Sequence, residues 1–346
     1  MAFSSLQRFA IRRLLSLPSP LLRLASGGAA TYRGGRTLEP RMQALGAGGD
    51  MGLAALTPAE AREQIARRSA ILRAPPERGV AAAPLAIAAA DREIGARLYR
   101  PDAQDPTAPL LVFAHGGGGV LGDLDACDGL CRILARILRG PVISIDYRLA
   151  PEHRFPAGRD DVIAASRWAR DQAARFGAPA GAVMVGGEGI GAAFAAAACQ
   201  DFKRLGEPQP MLQMLFYPWT DIASETPSMN THADAFPLSR ATLDWLVGHY
   251  LGPQDDPGDP GLSPLRAASV AGLAPAVVAT AGFDPLADQG EAYAQRLAAA
   301  GVPLAYRRFD ALTHGFAAFA GPVPAADAAC REVAELARGM LDGRTA

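Results

Sequence analysis

The chain has 346 residues, 49% of them hydrophobic and 20% charged, with a formal net charge of −1. That is enough apolar material for one large core with an accessory cap or for two small domains, and too much for a disordered chain. The balanced charge gives no electrostatic ground for a nucleic-acid partner.

At the N-terminus, Arg8, Arg12 and Arg13 precede Leu14, Leu15 and Leu17, a faint likeness to a targeting peptide. Pro18, Pro20 and Arg23 interrupt the apolar run short of a secretory core or a membrane span. The segment is read as an amphipathic cap helix over an apolar site. Stable membrane insertion is not expected; a cytoplasmic protein is, with export left open. Thr57 with Glu60 is a capping-box pair that opens a helix over 57–72, and Pro75 and Pro76 close that stretch. Ile94, Ala96, Leu98 and Tyr99 then predict a strand ending at Arg100-Pro101.

From here the pattern becomes regular. Short apolar runs occupy 109–114, 141–146, 182–186, 211–216, 275–280 and 303–309. Helical stretches fall at 124–138, 157–175, 190–204, 287–300 and 324–341. Strands apolar on both faces, alternating with helices, predict an α/β fold with a mostly parallel sheet covered on both sides. Residues 222–262 break the rhythm and carry one helix near 239–250. They are read as an insertion that packs with residues 1–75 as a cap on a single domain, 1–346. The four cysteines, Cys127, Cys131, Cys199 and Cys330, make no CxxC pair and no zinc-ligand spacing with histidine. Reduced, buried thiols are expected, and neither a metal nor a cofactor is.

Five motifs stand out. His115-Gly116-Gly117-Gly118-Gly119 directly follows the apolar run 110–114. A glycine run alone equally suits a surface loop, but at a strand end it can turn bare N–H groups into a cleft, as an oxyanion requires. Asp146-Tyr147-Arg148-Leu149-Ala150-Pro151-Glu152-His153 follows the next strand and reads as bracing for that loop, His153 included as a structural histidine. Gly187-Glu188-Gly189-Ile190-Gly191 ends the following apolar run; it has the frame of a G-x-S-x-G nucleophile elbow with glycine at its centre. Asp284 in Gly282-Phe283-Asp284-Pro285-Leu286 and His314 in Thr313-His314-Gly315-Phe316 each follow a predicted strand, at the edge where α/β sites assemble.

This ordered set resembles the hormone-sensitive-lipase-like esterases, a family of the α/β-hydrolase fold, over residues 57 to the end. The resemblance implies a sheet of about eight strands with a helical cap. It also implies Asp284 as triad acid, His314 as general base, and Gly116, Gly117 and Ile190 as oxyanion donors. The sequence departs from the family around the elbow: Gly189 for the serine, Ile190 for a usual alanine, Ala192 for a glycine and Ala193 for an asparagine. Gly119 also stands where the oxyanion loop often has an aromatic.

A glycine has no atom with which to attack an acyl carbon. The expectation is a carboxylic ester hydrolase scaffold, inactive or very slow, that takes a small hydrophobic ester or acyl ligand. One alternative is a pseudoenzyme that binds acyl or other hydrophobic small molecules, for which plant gibberellin receptors look like a precedent. Others are hydrolysis by a water that His314 activates, and a regulatory partner of an active paralogue. No feature excludes a homodimer.

Overall fold

A computed structural model describes residues 5–73 and 75–343. Helices α1 (Ser5–Leu15), α2 (Ser19–Ala25) and α3 (Pro40–Leu45) open the chain, with a small hairpin of β1 (Tyr32–Arg33) and β2 (Arg36–Thr37) before α3. Helix α4 (Pro58–Leu72) begins at Thr57, whose side chain accepts from the Glu60 N–H while Glu60 reaches back to the Thr57 N–H. That reciprocal pair satisfies two of the donors a helix start leaves open, so the capping signature sets this boundary.

The main sheet has eight strands: β3 (Val80–Ala88), β4 (Glu93–Pro101), β5 (Leu110–Ala114), β6 (Val142–Asp146), β7 (Val183–Glu188), β8 (Gln213–Phe216), β9 (Ala276–Phe283) and β10 (Leu304–Thr313). They are ordered β10-β9-β8-β7-β5-β6-β4-β3. β3 and β4 pair antiparallel with each other, and β4 antiparallel with β6; every other pairing is parallel. Strands β5, β7 and β9 are buried at every position, as continuous apolar runs in a doubly covered sheet must be.

Helices α5 (Asp128–Leu138) and α11 (Pro324–Leu341) lie on one face, in a core with Leu111, Phe113, Phe216 and Val277. Helices α6 (Ala157–Gln172), α7 (Ile190–Arg204) and α10 (Ala287–Ala299) cover the other, against the alternate residues Val112, Val185, Leu215 and Val278. The insertion holds α8 (Pro227–Thr231) and α9 (Arg240–Tyr250). All four cysteines are free and buried. Among the described residues no helix is long and apolar enough to cross a membrane.

Two departures from the sequence reading have a visible physical cause. Helix α5 starts at Asp128 and not at 124, because the Asp123 carboxylate accepts the N–H groups of Asp125 and Ala126 and holds them in a turn. Strand β3 has no counterpart in the apolar pattern of the sequence. It is an edge strand with most side chains exposed, so it needs no apolar alternation; its backbone pairs with β4 from Val80↔Pro101 to Ala88↔Glu93.

Candidate active site

At the carboxyl end of β7 the chain turns through Gly189 directly into α7. Gly189 has φ 57° and ψ −118°, a conformation that L side chains rarely adopt. Two backbone bonds fix the turn to the end of β8: the Gly189 N–H donates to the Phe216 carbonyl, and the Trp219 N–H to the Gly189 carbonyl, both at 3.0 Å. The flanking glycines are required by close packing. A Cβ on Gly187 would lie 2.4 Å from the Gly191 carbonyl carbon, and one on Gly191 2.3 Å from the Ala114 oxygen. A Cβ at Gly189 itself would meet nothing closer than His314 Nε2 at 3.6 Å and Gly116 Cα at 3.9 Å, both ordinary contacts.

His314 follows β10 and Asp284 follows β9. Their side chains join at 2.9 Å, His314 Nδ1 to Asp284 Oδ2, while Asp284 Oδ1 accepts the Leu286 N–H at 2.7 Å. Asp284 is fully buried, and both its oxygens are engaged. Nδ1 is thereby committed to the acid, and Nε2 is the ring atom nearest the Gly189 position.

The glycine loop is held from below and from the cap. His115 is buried and stacks on Tyr147 with ring centroids 4.2 Å apart, and burial lowers its pKa, which keeps the ring neutral. The Tyr147 hydroxyl donates to the His115 carbonyl at 2.9 Å, and the Ala150 N–H to the Gly119 carbonyl at 2.8 Å. Arg62 of α4 donates to the carbonyls of Val120 and Ala150 and pairs with Glu152, whose carboxyl it holds at a pKa of about 2. The motif after β6 thus serves as bracing, and His153 is exposed, away from Asp284 and His314. Positive φ runs through Gly117 (110°), Gly118 (64°) and Gly119 (75°). A Cβ on Gly118 would lie 2.7 Å from Leu246, and one on Gly119 2.6 Å from the Tyr250 ring. Leu246 and Tyr250 of α9 therefore fill the space beside the loop, which leaves no room for an aromatic at position 119.

Glu188 is a second buried acid at the site. Burial raises its pKa, opposed by the Tyr217 hydroxyl at 2.5 Å, the Gly116 amide and the charge of His314. Tyr217 also packs edge-on against His314, with ring centroids 4.8 Å apart. Sequence reasoning missed Tyr217, although its place just after β8, beside the elbow strand, could have pointed to it.

These groups line a cavity of about 440 Å³, within the usual range for small-molecule sites. Its floor includes Gly116, Gly117, Gly189, Ile190 and His314. Its roof draws Ile11, Leu53 and Ile65 from the N-terminal segment, and Phe236, Leu243 and Leu246 from the insertion. Arg68 and Glu188 are the acid–base side chains of the lining besides His314 and Tyr217, so the walls are largely apolar.

An Asp–His pair beside a strand–turn–helix elbow, under a glycine loop at the carboxyl edge of a parallel sheet, defines an α/β hydrolase. A family model described as alpha/beta hydrolase fold matches residues 111–318. The chain is 44% identical to the carboxylic ester hydrolase LipN of Mycobacterium tuberculosis, over 87% of this chain and 82% of that one. It is 35% identical to an ethyl acetate hydrolase of Pseudomonas putida, over 79% and 87%. An ester hydrolase from the metagenome of Lake Arreo, solved with a derivative of bipyridine phosphonate, superposes with a TM-score of 0.82 at 40% identity, covering 94% of this chain and 99% of that one. The chain belongs to the hormone-sensitive-lipase-like esterases of the α/β-hydrolase fold, and it has their carboxylic ester hydrolase scaffold.

Proposed function

We propose that this protein binds small hydrophobic carboxylic esters or related acyl ligands in the capped cavity, and that Gly189 closes the covalent route by which such esters are usually cleaved. The observation that carries this reading is the pairing of an assembled Asp284–His314 couple with a residue that has no side chain in front of Nε2. In this reading Asp284 fixes the imidazole, His314 is the base, and the N–H groups of Gly117 and Ile190 receive the developing oxyanion. Ile190 opens α7, so its amide is one of the donors a helix start leaves unbonded. The Gly116 amide also bears on Glu188, whose pKa it lowers against the effect of burial.

Without a triad nucleophile, such sites retain only roughly 10³–10⁴-fold acceleration over water, from binding and the oxyanion hole. Turnover of esters is accordingly slow, and the ligand-binding role dominates. The test is hydrolysis of p-nitrophenyl acetate and butyrate by the wild type beside Gly189→Ser, with a thermal-shift screen of short acyl esters on the wild type. A wild type that neither turns over nor binds any such ester contradicts the reading.

A further inference from the structure

We propose a second activity for this site: direct transfer of the acyl group from a bound ester to a small primary alcohol, with methanol the best fit. The proposal rests on the reading of the cavity as an ester site. What a serine would carry beyond Cα is a hydroxymethyl group, and methanol is its free counterpart.

The space for it is measurable. A methyl-sized group on Gly189 has His314 Nε2 at 3.6 Å and Gly116 Cα at 3.9 Å, and nothing need move. An unbonded methanol cannot approach Cα as closely as a Cβ does, so its carbon sits farther toward the cavity, where about 440 Å³ is open. Its hydroxyl then takes the Nε2 position that Asp284 leaves oriented for it. The largely apolar walls favour a methyl group over bare water by about fourfold. Longer alcohols extend farther into the cavity and compete there with the ester for its volume.

The step balances without a covalent enzyme. His314 Nε2 takes the alcohol proton as the alcohol oxygen attacks the ester carbonyl carbon. The carbonyl π pair moves onto oxygen, where the Gly117 and Ile190 amides receive it. Collapse re-forms the carbonyl and breaks the bond to the leaving alcohol, which takes the proton from the imidazolium. Ester and methanol become methyl ester and free alcohol, with nothing oxidised or reduced.

The experiment uses the wild-type protein with p-nitrophenyl butyrate and increasing methanol, and follows methyl butyrate by gas chromatography. Expected are saturation in both substrates, intersecting double-reciprocal lines, and a fall in rate from methanol through ethanol to 1-butanol. His314→Ala should lower methyl butyrate formation by about 10²-fold or more. Gly189→Ala, whose Cβ lies 3.6 Å from Nε2 and pushes the alcohol away from it, should lower the methanol dependence. Equal rates along the alcohol series in the wild type, or undiminished transfer in Gly189→Ala, would overturn the placement of the alcohol. No methyl butyrate above the protein-free rate, in a protein that still binds the unreactive ketone butyrophenone, overturns this proposal and leaves the ester reading intact. Loss of ketone and ester binding alike overturns both.

Discussion

Replacing Gly189 by serine asks whether one residue separates this site from a working esterase. The structure supplies the numbers. The new Cβ would sit 3.6 Å from His314 Nε2 and 3.9 Å from Gly116 Cα, so it enters without displacing a non-adjacent atom. A hydroxyl one bond farther on comes within hydrogen-bond reach of Nε2, already tied at 2.9 Å through Nδ1 to Asp284. The backbone at φ 57° and ψ −118° is strained for any side chain, and the variant should lose roughly 1–3 kcal/mol of stability. Against that, activity on p-nitrophenyl butyrate should rise by at least about 10²-fold, part of the roughly 10⁶ that a triad serine contributes elsewhere. This gain corresponds to about 2.7 kcal/mol of transition-state stabilisation. Initial rates on the acetate and butyrate esters, with circular dichroism and a melting curve on both proteins, measure it. No gain in a folded variant would refute the claim that the rest of the site is assembled; equal rates in the wild type would show that another nucleophile operates.

Three further outcomes follow from the same geometry. In the Gly189→Ser background, His314→Ala should remove the gain, lowering kcat by about 10²-fold or more, because no other lining side chain is held by Asp284 to serve as its base. Gly117→Ala should destabilise the fold by at least about 2 kcal/mol in chemical denaturation, since φ is 110° and the new Cβ would fall 2.2 Å from the Leu121 carbonyl oxygen. Glu188 bears on pH: burial raises its pKa above the ordinary 4.5, so the folded protein holds that proton to higher pH than the unfolded chain does. The stability this provides is complete below pH 4.5 and is lost as pH rises through the raised value. Glu188→Gln, which cannot ionise, should therefore melt higher than the wild type above that point, by about 2 °C or more, and differ less in acid.

Much of this was legible in the chain. Strands buried on both faces have to be continuous apolar runs, so β5 to β9 and the helices between them showed through the sequence, while the partly exposed edge strand β10 showed as a shorter run at 303–309. The glycines at 187 and 191 were legible as a motif because backbone atoms within 2.6 Å of any Cβ leave no other choice. Asp284 and His314 were legible because Gly282–Leu286 and Thr313–Phe316 resemble the motifs of the hormone-sensitive-lipase-like esterases, and each also follows a predicted strand. What lay hidden depended on contacts distant in sequence or on the absence of a pattern. The solvent-facing edge strand β3 has no alternation to read. Gly118 and Gly119 look permissive in sequence; only the approach of Leu246 and Tyr250, more than a hundred residues later, makes them necessary. Tyr217 gains its place from the pairing of β7 with β8 and from the burial of Glu188, neither of which a local window contains.

The claim that this is an esterase pocket lacking only its nucleophile is tested most directly by intact-mass spectrometry after incubation with a p-nitrophenyl phosphonate. Expected are an unmodified wild type and a single phosphonyl adduct on Gly189→Ser. An adduct on a pocket residue of the wild type, or none on a folded Gly189→Ser, would contradict it.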